Sequence, residues 1–305
     1  MPVAGYNSAM SGQTVICFGE ILWDSLPQAI HPGGAPVNVA YHLNRFGLNA
    51  VPVTAVGTDF LGDEMLRRFK YWNVTPEHVG RVDKPTGAVV VDLKENGIPE
   101  YRFLDDVAWD FIPLPGALDS LCKPAIAIVF GTLAQRSAHN VRQLANLRAV
   151  LSHARHVFDV NLRAPHDDHD AVWRLAKGCD LIKLNDDELG RLMGLRVDSE
   201  TIGDGARRFA ERTACAKVCV TAGSRGAGLW WDGHWHWEPA QPITVRDTVG
   251  AGDSFLAALL HGWLVNELAP DANLRRASRV AEFVAGCDGA MPDYRLNERG
   301  LPFRP

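Results

Sequence analysis

The heptapeptide Asp247-Thr-Val-Gly-Ala-Gly-Asp253 is followed at once by the apolar run Ser254-Phe-Leu-Ala-Ala-Leu-Leu-His-Gly-Trp-Leu-Val265. Phe255, Leu256, Leu259, Leu260, Trp263 and Leu264 fall on most sides of a helix over 254–265, which predicts a central core element. Gly250 and Gly252 let the backbone turn tightly and approach a ligand. The amides of Gly250, Ala251 and Gly252 would then project from a helix N-terminus, where unpaired N–H groups and the helix dipole attract anions. Asp253 stands at the same place and adds a group able to take a proton from an attacking hydroxyl. A carboxylate beside an amide nest suits phosphoryl transfer, which needs mainly positioning and positive dipoles. The dipole should also keep Asp253 ionised and weakly basic. Taken alone, the heptapeptide is explained equally well by an N-cap aspartate and a glycine turn.

Outward from this stretch, short apolar runs alternate with helical patterns. Strands are expected at 15–18, 50–56, 126–130, 156–160, 181–184 and 217–221. Helices are expected at 37–46, 61–72, 140–153, 186–193 and 202–212. The near-continuous apolar strands predict an α/β fold with a mainly parallel sheet covered on both faces. Two segments break the rhythm. Residues 23–34 carry Pro27, Pro32 and a Gly-Gly, and 86–104 reads as two β-runs joined at Glu95-Asn-Gly97, a strong hairpin signal. Together they could form a small β-layer beside the main sheet. Trp230 to Trp237 reads as a further hairpin turning at Asp232-Gly233.

The chain has 305 residues, 47% hydrophobic and 22% charged, enough for a substantial core. A net charge of -5 gives no electrostatic footprint for nucleic acid. No apolar run is long enough to cross a bilayer. Residues 1–12 lack the pattern of a signal peptide and are expected to be a disordered lead-in. Six scattered cysteines without a C-x-x-C pair read as reduced core thiols, which points to the cytoplasm. No lysine follows a glycine and no G-x-G-x-x-G occurs, so a nucleotide would need a route other than a P-loop or dinucleotide fingerprint.

Gly33-Gly-Ala-Pro-Val-Asn-Val-Ala40 near the N-terminus, with Asp247-Thr-Val-Gly-Ala-Gly-Asp253 in this order, resembles the ribokinase-like (PfkB) carbohydrate kinases over roughly 15–292. Phe18-Gly-Glu-Ile-Leu-Trp-Asp24, Gly131-Thr-Leu-Ala-Gln-Arg136 and Phe158-Asp-Val-Asn-Leu-Arg163 resemble the fructokinase branch. The resemblance implies a three-layer α/β/α sandwich over 13–305, with segments of about 23–34 and 86–104 forming a β lid. It implies that Asp253 is the base and that Gly250, Ala251 and Gly252 form the anion hole. Asp24, Gly33, Gly34 and Asn38 would hold the sugar, with Trp109 flanking it. Asn161 and Arg163 follow a strand end, where open α/β sheets place ligands, and Arg163 could fork onto phosphate. Asn185 and Glu188 match the family's N-x-x-E element, with Glu188 reaching Mg²⁺ through water. Thr221, Gly223 and Gly226 match the ATP loop. Asp247 matches a residue near a monovalent cation, K⁺ in some members. Val249 departs from the usual residue without disturbing the nest, and Val37, larger than the Ala often found there, is expected to reshape the pocket floor slightly.

The expected function is transfer of the ATP γ-phosphate to a sugar hydroxymethyl group, D-fructose first. Another sugar, a sugar acid or a nucleoside is the alternative acceptor. A non-catalytic sugar- or nucleotide-binding regulator should have lost the base or the nest, and both are present. Exposed lid edges are expected to support a homodimer.

Overall fold

Side chains along Thr14–Phe18 alternate between two cores: Val15 and Cys17 join one, Ile16 and Phe18 the other. The neighbouring strand repeats the pattern, with Ala127 and Val129 on one face and Ile128 and Phe130 on the opposite face. A sheet apolar on both faces must be covered twice, and it is. The computed structural model describes residues 13–25, 30–93, 99–116 and 118–304; the lead-in 1–12 and the turn at Glu95-Asn-Gly97 lie outside them.

The main sheet has nine strands. Its order from edge to edge is β13 (His234–Pro239), β12 (Gly226–Trp231), β11 (Lys217–Thr221), β10 (Leu181–Asn185), β9 (Arg155–Asp159), β8 (Ala125–Gly131), β1 (Thr14–Phe18), β4 (Asn49–Gly57) and β5 (Val79–Val82). All adjacent pairs are parallel except β11–β12 and β12–β13. The β12–β13 hairpin turns at Asp232-Gly233, as the sequence indicates.

One face carries α1 (Ala35–Arg45), α2 (Phe60–Tyr71), α8 (Ala251–Leu264) and α9 (Pro270–Ala285). The short α3 (Leu118–Cys122) and α4 (Ala138–Val150), α5 (His169–Ala176), α6 (Asp186–Met193) and α7 (Ile202–Thr213) cover the other. The result is the expected ribokinase-like three-layer sandwich. Helix α8 begins at Ala251, three residues earlier than its apolar pattern. It is buried continuously from Ser254 to Gly262. Each of its buried leucines contributes roughly 2–3 kcal/mol relative to exposure, so the turn preceding it is anchored to the core. All six cysteines are free and buried.

The two irregular segments pair with each other. A second sheet runs β3 (Ile30–Gly33), β2 (Leu22–Ser25), β6 (Ala88–Leu93), β7 (Pro99–Phe103). β6 and β7 are antiparallel, as a hairpin requires, while β2 and β6 are parallel. Among the described residues no helix is long and apolar enough to cross a membrane.

Candidate active site

The carboxyl ends of the parallel strands, the start of α8 and the inner side of the second sheet enclose a cavity of about 1540 Å³. That volume exceeds what one small ligand needs and suits two together. Its position follows the rule that open α/β sheets bind ligands beyond their strand ends.

Asp253 lies at the third position of α8, held there by the buried helix behind it. Its side chain is half-buried by solvent exposure, because it faces the cavity, yet protein atoms surround it closely. Oδ2 accepts a 2.7 Å hydrogen bond from Asn38 Nδ2 on α1. Burial pushes its pKa up, against the lowering influence of Lys183, Asn38 and Arg163. Burial thus acts on Asp253 in the direction opposite to the helix dipole, which favours the ionised carboxylate.

Gly250 caps α8 with φ 77°, and its amide and that of Gly252 have no protein partner among the described residues. Both line the cavity. Ala251 departs from the expected trio. Its N–H donates to Thr248 O at 3.3 Å, closing the turn, and it does not line the cavity. The arrangement therefore offers two open amides and a helix N-terminus beside one carboxylate.

On the second-sheet side, Asp24, Gly33, Gly34 and Asn38 reach the cavity. Asp24 faces His31 across the β2–β3 pair, and burial raises its pKa against the pull of Arg163 and His31. Asn161 also lines the cavity, in the left-handed region with φ 40°. Among residues other than glycine such backbone suits Asn well, and it clusters at ligand sites. Arg163 is exposed on the cavity and forms no salt bridge among the described residues. Trp109 is placed elsewhere. It is buried beneath Arg136, whose guanidinium sits 4.0 Å from the ring centroid, and packs with Val107, Leu133 and Ala134. Asn140 Nδ2 holds its carbonyl at 2.7 Å and Arg136 grips Asp110, so the short turn Ala108–Phe111 is drawn inward. Leu133 of the same cluster reaches the cavity instead.

Asn185 and Glu188 line the cavity as a reciprocal capping box. Asn185 Oδ1 accepts from Glu188 N at 2.7 Å, and Glu188 Oε2 accepts from Asn185 N at 2.8 Å. Glu188 Oε1 accepts from Leu162 N at 2.7 Å, and burial raises the acid's pKa. Both carboxylate oxygens are thus engaged, with a lone pair left on each. Asp247 is similar: Oδ1 accepts from Val249 N at 2.9 Å and Oδ2 from Gly289 N at 3.1 Å. Among the described residues no three His, Cys, Asp or Glu side chains cluster to hold a metal. A Mg²⁺ would fit only as a largely hydrated ion carried on phosphates, with Glu188 as outer partner.

The loop after β11 divides. Thr221 lines the cavity, but Gly223 and Gly226 do not. Gly226 has φ 130°, and a Cβ there would lie 2.2 Å from Glu238 O. Its glycine is demanded by the β12–β13 hairpin.

Two buried groups escaped the sequence reading. Lys183 Nζ lies 3.0 Å from both oxygens of Asp159, under Gly252, where a Cβ would be 3.1 Å from the ammonium. Burial alone would lower the Lys183 pKa, but Asp159 and Asp253 more than reverse this. Glu20 lines the cavity floor with its pKa raised by burial to about 7. Oε1 accepts from Ala35 N at 3.3 Å, and Oε2 has no partner. A lysine inside an apolar strand and a glutamate after one are the signals that could have exposed them.

A ribokinase-like sandwich with a carboxylate beside open helix-start amides at the sheet's carboxyl edge fits a small-molecule phosphotransferase. The comparisons make the class specific. Residues 28–295 match the pfkB family carbohydrate kinase model, and the chain belongs to that family. It is 30% identical over 277 residues to a fructokinase of Klebsiella pneumoniae, covering 86% of this chain and 89% of the relative. Its fold matches 2-dehydro-3-deoxygluconokinase of Thermotoga maritima with TM-score 0.81 at 18% identity, over 93% of this chain and 96% of that one. It also matches a double-mutant fructokinase of Vibrio cholerae O395, in its fructose, ADP and potassium ion bound form, with TM-score 0.75 at 23% identity, over 93% and 96%. The protein is an ATP-dependent sugar kinase.

Proposed function

We propose that this kinase phosphorylates a hydroxymethyl group of D-fructose, with Asp253 as the base. The observation that carries the reading is the Asp253 carboxylate, fixed by Asn38 at 2.7 Å beside the open amides of Gly250 and Gly252. The acceptor hydroxyl gives its proton to Asp253 as its oxygen bonds to the γ-phosphorus and the bond to ADP breaks. Charge on the transferring group is met by the two amides, the α8 N-terminus and the Arg163 fork. Asp24 and Asn38 suit the sugar hydroxyls, since one accepts from two and the other both donates and accepts. Magnesium, when bound, neutralises phosphate charge; Glu188 and Asn185 are the residues that would face it. Asp247 would serve a monovalent cation by shaping the turn, since its own oxygens already hold two amides.

We read 13–305 as one domain, with segments 23–34 and 86–104 as a lid that keeps water from competing as acceptor. The protein would act in the cytoplasm, as a homodimer through the lid edges. The similarity to the Klebsiella fructokinase supports fructose. A second reading, a sugar acid, is favoured by His31 and Arg163, two basic side chains that line the cavity near Asp24. ADP release across ketohexoses, aldohexoses, pentoses, sugar acids and nucleosides tests both. Turnover with fructose at least tenfold above every other acceptor is expected. A preference for a carboxylated acceptor would replace fructose, and no ADP with any acceptor would end the reading.

A further inference from the structure

Helix α1 carries two buried polar side chains one turn apart, Asn38 and His42. Asn38 holds Asp253. His42, with no solvent exposure, engages both ring nitrogens: Nε2 is 3.0 Å from Ala290 O and Nδ1 is 2.9 Å from the Tyr294 hydroxyl. A carbonyl only accepts, so Nε2 carries the proton and Nδ1 accepts from Tyr294. The Tyr294 ring stacks on the imidazole at 5.8 Å and 16°, which fixes the ring plane. Burial pushes the His42 pKa down to about 4, so the ring is neutral at physiological pH.

The residue that His42 holds is the one on which the anion-binding turn rests. A Cβ at Gly250 would lie 2.5 Å from Ala290 Cα and 2.8 Å from Ala290 O, the same oxygen that accepts from His42. The segment is pinned on either side, by Tyr41 donating to Pro292 O at 2.7 Å and by Gly289 N donating to Asp247 at 3.1 Å. Ala290 also lines the cavity. Filling this space alone needs no imidazole; an apolar side chain of similar size would do.

We propose that His42 is a positioning residue for phosphoryl transfer: it holds the Ala290 carbonyl against Gly250, so that α1 sets the base through Asn38 and the phosphate-binding amides through His42. This rests on the kinase reading of the Asp253 site. The inference predicts a selective defect, because the imidazole touches neither sugar nor base. In His42→Leu the volume is kept and both hydrogen bonds are lost. The expected result is a fall in kcat of about tenfold or more, as follows from a small misplacement of an oriented group. The KM for sugar stays within about twofold, because Asn38 is untouched. Affinity for AMP-PNP falls about fivefold while affinity for AMP, which lacks the terminal phosphates, holds within about twofold. His42→Gln, whose amide can donate to Ala290 and accept from Tyr294, restores most of the loss. The inference is overturned by an unchanged kcat in His42→Leu, by equal weakening of AMP and AMP-PNP, or by no recovery in His42→Gln. Should His42→Leu fail to fold, Tyr294→Phe removes only the donor to Nδ1. It must then show the same selective pattern, with kcat down about fivefold, and wild-type behaviour there also overturns the inference. A wild-type enzyme that forms no ADP with any acceptor would instead sink the kinase reading beneath it.

Discussion

Two glycine turns stand at the sheet's carboxyl edge, and they differ in what lies in front of them. At Thr248–Asp253 and at Thr221–Gly226 a glycine takes positive φ, 77° for Gly250 and 130° for Gly226. In both, the protein itself leaves no room for a side chain: Ala290 crowds Gly250 and Glu238 O crowds Gly226. Steric need for glycine is therefore common to the two and says nothing about a ligand. The difference is the element that follows. After Gly250 comes a buried helix whose first amides open on the cavity. After Gly226 comes a strand whose amides are spent on its neighbours. A glycine turn binds an anion only when the next backbone donors are left over.

The largest effect tests the carboxylate that completes the first turn. Asp253→Asn should lower kcat by about 10³-fold, within the range for losing a general base, with the fold unchanged by circular dichroism. In the wild type, the rate should fall on acidification at a pH above the ordinary carboxylate range, because burial raises the Asp253 pKa. Lys183 of β10, Asp159 of β9, Arg163 and Glu20 are the charged groups around it that set where this limb lies. A normal rate in the variant would remove the base from the comparison altogether. Next in size is Gly250→Ala. A side chain at φ 77° would meet Ala290 at 2.5 Å, so the turn must shift and its two amides with it. About a thirtyfold loss of kcat is expected, equivalent to about 2 kcal/mol, measured as steady-state ADP formation.

Much of this was legible in the chain. Alternating strands such as Thr14–Phe18 and capped helices such as Asp186–Met193 are local patterns, and the sequence places them within a residue or two. Asp253 and the glycines are contiguous, so their meeting needs no tertiary knowledge. The second sheet was half legible: the β6–β7 pairing follows from an Asn-Gly turn, whereas the parallel β2–β6 pairing joins segments far apart in the chain. The place of Trp109 is not legible in the chain, because only packing reveals that Arg136 and Gly87 enclose it. The roles of Lys183 and Glu20 depend on partners distant in the chain, Asp159 and Ala35 N, which no local pattern supplies.

A smaller effect on turnover, with a pH signature, is expected at Glu20. Its pKa moves from the ordinary 4.5 to about 7 on folding. The folded state therefore holds a proton that the unfolded chain has lost, and stability falls as pH rises from about 4.5 to about 7. The fall amounts to roughly 3 kcal/mol at most. Glu20→Gln mimics the neutral acid and keeps an oxygen for Ala35 N. Its melting temperature should match the wild type near pH 4 and exceed it increasingly up to pH 7, with kcat within about threefold. A constant difference across that range would mean that the carboxyl is ionised in the fold.

The least effect on turnover belongs to Gly226→Ala, and it is the cleanest way to break the comparison. The added methyl would meet Glu238 O at 2.2 Å and hold an L-residue at φ 130°, where only glycine is at ease. The strain should appear as about 1–3 kcal/mol of lost stability, read by urea unfolding. Thr221 remains on the cavity side of the same loop, and Arg225 stays tied to Asp186 at the start of α6, so the cavity wall is held from two directions. The variant's kcat and its KM for ATP should therefore match the wild type within about twofold at a temperature where both are folded. An ATP KM raised tenfold with stability intact would show that the amides of Gly223 and Ser224, which have no protein partner among the described residues, serve the ligand as well, and that the line between the two turns is drawn in the wrong place.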